Sequence, residues 1–172
     1  MRKYLLFFLL IATAAPIHAQ KLSLDFPGLS EKASEVVDIT LDAQMLRLAS
    51  KFLSATDTDE RDVRDIVGKL EGIYVRSYEF DKDGEYDRAL VDRVRSQLGS
   101  SWKKIVNVRS KKHDNAEIYL DMRGDQAVGL VVIAAEPRQL TIVNIVGPID
   151  LDKLSHLEGE FGIPRMSKKG QP

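Results

Sequence analysis

The sequence predicts an α+β fold, an antiparallel β-meander with helices packed on one face in two layers. Three observations carry this expectation. Helix-period and strand-period segments alternate up to Gly99, and four strand-period segments joined by short turns follow from Trp102 onward. One of these, Val128 to Ala135, is apolar throughout, as a central strand covered on both faces requires.

Taken in order, Val37, Ile39 and Leu41 alternate with Asp38 and Thr40 in the period of a half-buried first strand. Asp42 then stands as an N-cap, and Leu41 with Leu46 supplies the apolar staple of a helix start. Met45, Ala49, Phe52 and Leu53 form one helical stripe, so the first helix is expected to bury that side and end near Ser54. Asp57 and Glu60 have capping-box spacing before a second helix, where Val63, Ile66, Val67 and Leu70 recur at 3.6-residue spacing up to Gly72.

Ile73 to Phe80 is β-branched and aromatic and reads as a strand stopped by the turn Asp81-Lys82-Asp83-Gly84. A third helix is expected to bury Tyr86, Leu90, Val94 and Leu98, to pair Arg88 with Asp92 outside, and to end at Gly99. Strands are expected over 103–109, 116–123, 127–135 and 139–146. In the second of these, Ile118, Leu120 and Met122 are read as the packed face, with Glu117, Tyr119 and Asp121 wet. Gly147-Pro148 is expected to end the sheet, and Asp150 to cap a last helix that buries Leu151, Leu154 and Leu157 before Gly162-Ile163-Pro164.

In front of this domain stands a leader. Met1-Arg2-Lys3 is positively charged, Leu5 to Ala15 is apolar except for Thr13, and the small Ala19 marks a cleavage point. A bilayer core needs roughly 20 apolar residues as helix, so this run reads as a cleaved signal and not as a span. The expected organisation is therefore a signal peptide over 1–19, a single domain over 20–164 and a flexible basic tail over 165–172. Removing 19 residues from 172 leaves 153, enough for one core. Of 25 basic residues the leader holds two and no acids, which leaves 23 against 26 acidic residues, a net charge of −3. That balance demands neither nucleic acid nor an anionic membrane.

No cysteine is present, which excludes disulfides, thiol catalysis, thiolate metal sites and a lipid-bearing cysteine. A disulfide-free exported domain of this size points to the periplasm of a Gram-negative bacterium.

The candidate chemistry is sparse, and no cofactor is expected. Glu79 to Asp87 has the acid spacing of a calcium loop up to Gly84, but Leu90 stands where the bidentate glutamate belongs. Those acids are therefore read as a strand-to-helix turn. Outside the leader only His113 and His156 occur, without an HExxH pair or a G-x-S-x-G elbow. A carboxylate pair, Asp121 with Glu117, is the alternative reading as a small hydrolase. The leading expectation is a non-enzymatic binding or accessory module of the cell envelope. Its candidate partner patch is the basic cluster Lys103, Lys104, Arg109, Lys111, Lys112 and His113, facing an envelope protein or an anionic ligand. No aromatic platform is interleaved with these charges, which argues against nucleic acid.

At Leu70-Glu71-Gly72-Ile73-Tyr74-Val75-Arg76-Ser77-Tyr78 and at Val143 to Leu154 (VNIVGPIDLDKL) the chain resembles the bacterial domain of unknown function family 4252. The resemblance covers nearly all of the chain after the leader. It implies an exported bacterial protein, with a hint of envelope signalling, and no cofactor or catalytic residue. The departure is the missing lipid-bearing cysteine.

Overall fold

The computed structural model describes residues 21–53, 58–110 and 115–150. Six strands are β1 (Glu35–Asp42), β2 (Gly72–Glu79), β3 (Trp102–Val108), β4 (Asn115–Arg123), β5 (Gln126–Ala135) and β6 (Gln139–Ile149). The helices among the described residues are α1 (Ala43–Ser50), α2 (Thr58–Val67) and α3 (Ala89–Arg95). The strands form one sheet in the order β1-β2-β6-β5-β4-β3, every neighbour antiparallel. The α+β class and the antiparallel sheet stand as expected, and the expected last helix lies outside the described residues.

The chain leaves β2 near one edge of the sheet and begins β3 at the other, so the connection must cross. It does so through α3, and the β3-β4-β5-β6 meander then returns the chain to β2. This crossing sets α3 against the far edge strands, where the candidate site forms.

Alternation in β5 assigns the two faces. Val131 and Ile133 point to the core face and are 0% and 1% exposed, while Leu130 points to the rear. On the core face Val91 and Val94 of α3 pack with Tyr78, Tyr119, Val131 and Ile142. The segment after the expected cleavage point completes this layer, burying Leu22, Leu24, Phe26 and Leu29. It is pinned where the Leu22 amide donates to Asn144 Oδ1 at 3.0 Å and where Ser23 exchanges two hydrogen bonds with the Gln97 amide.

The rear face carries the other helices, where Leu46 of α1 and Val67 of α2 pack with Leu120, Leu130 and Ile145. Helices therefore lie on both faces and not on one. Amphipathic stripes show that a helix buries a side, but not which sheet face receives it. Rear positions of the central strands are as apolar as the core positions and need cover too.

Four local expectations change. In β4 the expected wet residues Glu117, Tyr119 and Asp121 are buried at 5%, 8% and 0%, because the core face needs Tyr119 and supplies partners for Glu117. In α1, Asp42 caps as expected, accepting from the Gln44 and Met45 amides at 2.9 and 2.8 Å. Leu46 is the side chain α1 buries, however, and Met45 and Phe52 are 50% and 83% exposed. α3 begins only at Ala89, because the Asp81–Arg88 stretch is held as a turn, although Tyr86 is buried ahead of it. β6 runs through Gly147-Pro148 to Ile149, with a register shift against β5 that accommodates a proline lacking an N–H. Gly147 has φ +122°, and a Cβ there would stand 2.7 Å from the Glu71 backbone nitrogen, so glycine is required.

Candidate functional site

The crossing of α3 against β3 and β4 leaves a cleft of about 350 Å³ lined by Arg88, Val91, Asp92, Arg95, Val108, Arg109, Asn115, Glu117 and Ala135. Glu117 is its buried anchor. Its Oε2 accepts from Arg95 Nε at 2.8 Å and from Tyr119 Oη at 2.8 Å, and its Oε1 from Lys104 Nζ at 2.9 Å. Burial pushes the carboxyl up, but the hydrogen bonds from Arg95, Lys104 and Tyr119 outweigh it and hold the pKa at about 2. Glu117 is thus ionised throughout the neutral range and is unsuited to donating a proton. The Lys104 ammonium, bonded to Tyr119 and Glu117, is held above its ordinary value, as is Arg95 through its bond to Glu117.

Arg95 also pairs with Asp92 at 2.5 Å. The expected Arg88–Asp92 pair therefore gives way to Arg95–Asp92, because Arg88 precedes the first turn of α3 while Arg95 reaches both acids. Two cations of the cleft remain. Arg88 and Arg109 are exposed, and neither has a carboxylate at ion-pair distance among the described residues.

The sequence-predicted patch is divided by this geometry. Lys103 and Lys104 are neighbours in β3 and point to opposite faces, Lys103 donating to the Ser100 carbonyl at 3.3 Å and Lys104 to Glu117. Arg109 lines the cleft. Lys111, Lys112 and His113 lie outside the described residues. Arg88 and Arg95 were not part of the patch, since only the crossing of α3 brings them beside Arg109.

The other candidates separate too. Glu117 and Asp121 are four residues apart on one face of β4, roughly 13 Å along a strand, with Tyr119 between them. A pair sharing one glycosidic bond stands at about 5 to 9.5 Å. Asp121 sits under Trp102 beside Gly129, with Arg123 at 3.4 Å. The acids of the calcium-like turn serve the backbone. Glu85 accepts from the Lys82 amide at 3.0 Å, Asp87 from the Ala89 amide at 2.8 Å, and Asp83 faces Arg138 at 3.7 Å. Among the described residues no three His, Cys, Asp or Glu side chains are grouped as metal ligands, and no helix is long and apolar enough to cross a membrane.

Fold and cleft together define a small α+β domain with a cationic groove built over a buried carboxylate. The chain belongs to the family described as "Domain of unknown function (DUF4252)", whose model matches residues 30–157. No curated protein matches the chain.

Proposed function

We infer that this chain is an exported, non-enzymatic binding module of the bacterial envelope, whose cleft takes an anionic group of a partner protein or ligand. One observation carries the reading: Arg88 and Arg109 flank a concave site uncommitted, while the internal charges Glu117, Arg95, Asp92 and Lys104 satisfy one another. An arginine fork matches a carboxylate or phosphate in two parallel hydrogen bonds, and a concave wall raises the field it feels. Two other clefts hold arginines that are already paired. The one beside β1 and β2 holds Arg76 already bound to Asp38, the Ile39 carbonyl and Thr40, and another pairs Arg138 with Asp83.

Export is supported by the leader composition, a charged start and a short apolar run ahead of the small Ala19. N-terminal sequencing of the periplasmic protein is expected to begin at Gln20, and a mature chain beginning at Met1 refutes export. Binding is tested by NMR titration with a glutamate-rich peptide and with inorganic phosphate. Shifts are expected at Arg88 and Arg109 side-chain resonances with at least one probe, and Arg88→Gln with Arg109→Gln is expected to remove them. Shifts spread evenly over the surface, or unchanged in the double variant, refute the cleft.

A further inference from the structure

Exposed apolar side chains are unevenly distributed over the molecule. Of the eight large hydrophobic residues that are exposed among the described residues, six fall between Val36 and Phe52. Three of these, Met45, Leu48 and Phe52, are 50%, 57% and 83% exposed. At about 100° per residue they lie on one stripe of α1 and the turn that continues it, where the Phe52 amide donates to the Ala49 carbonyl at 3.0 Å. Leu46, at 1% exposed, marks the inward side.

Beside the stripe stand Arg47 and Lys51, one turn apart, exposed and without an ion-pair partner among the described residues. The acid of this helix, Asp42, is spent at the opposite end on the Gln44 and Met45 amides. Single exposed hydrophobics are ordinary, but a stripe that ends in a nearly bare phenylalanine is the mark of a contact surface. Its shape is convex, since a side chain inside a groove does not reach 83% exposure. A convex apolar stripe flanked by cations suits the headgroup and acyl boundary of an anionic bilayer, where the apolar residues insert and the cations meet lipid phosphates.

We propose that α1 and Phe52 form a lipid-surface attachment site, specific for anionic membranes, on the far side of the sheet from the binding cleft. It attaches and does not span, and its weakness as a single short helix makes the attachment reversible.

The test is vesicle flotation with the chain from Gln20 onward, so that the apolar residues 5–15 take no part; the described fold starts at Lys21. Flotation is expected with phosphatidylcholine vesicles containing phosphatidylglycerol and not with phosphatidylcholine alone. Phe52→Ser and, independently, the pair Arg47→Gln and Lys51→Gln are each expected to weaken it roughly tenfold while leaving the melting temperature unchanged. No flotation with the anionic vesicles overturns the proposal, as does equal flotation of Phe52→Ser. Concentration-dependent self-association that Phe52→Ser abolishes, with no vesicle binding, overturns it in favour of a protein occupant.

Discussion

Replacing Glu117 by glutamine removes the charge on which the cleft is built while keeping its shape. In the folded chain the carboxyl is held at about 2, against 4.5 for an unperturbed glutamate, and is 5% exposed. That difference corresponds to roughly 3 kcal/mol at 1.36 kcal/mol per pKa unit. Arg95 and Lys104 are 41% and 33% exposed, so water screens part of the interaction, and a loss of about 1–3 kcal/mol is expected. The pH dependence follows from the depressed pKa. The stabilisation is complete above the unfolded value of 4.5 and disappears as pH falls toward 2. Urea melts of wild type and Glu117→Gln, compared at a series of pH values, read the difference directly. It should be full at neutral pH and shrink steadily below pH 4.5. A difference that is negligible at neutral pH, or that persists undiminished near pH 2, refutes the account of Glu117 as an ionic anchor.

Ile133→Ala should cost about 2–4 kcal/mol in urea melts, since the side chain is 1% exposed between α3 and the sheet, whereas Lys103→Ala should cost about 0.5 kcal/mol or less. Gly147→Ala should be more damaging than Gly124→Ala. Both glycines have positive φ, but only at Gly147 does a new Cβ meet backbone, at 2.7 Å. Melts with millimolar calcium and with chelator should coincide, because the turn acids already hold backbone amides or Arg138; a rise of several degrees with calcium contradicts that assignment.

All six strands were legible in the sequence because their signal is local. A period-2 pattern and the turn residues beside it belong to one stretch of chain, as in Val37–Leu41 and Asp81–Gly84. What failed was the choice of side. In β4 the polar alternation pointed outward by rule, yet Glu117 and Asp121 face the core, since Arg95 and Lys104 arrive from elsewhere to pair with Glu117. In α1 the stripe of Met45 and Phe52 looked like a buried side, and the structure leaves it bare. The cleft was half legible. Arg109 stood out within a basic run, but Lys103 and Lys104 are split by the pleat, and Arg88 and Arg95 join the site only because the chain crosses the sheet from β2 to β3.

The central claim, that the cleft between α3 and the β3–β4 edge receives an anionic group, is tested most directly by photo-crosslinking in cells that express the full chain. Val108 lines the cleft and is 49% exposed, so a photoreactive residue there faces whatever occupies the site. The account predicts a discrete periplasmic adduct that is lost when Arg88→Gln and Arg109→Gln are introduced together and retained in the Phe52→Ser variant. An adduct indifferent to both arginines, or none from Val108 at all, contradicts it.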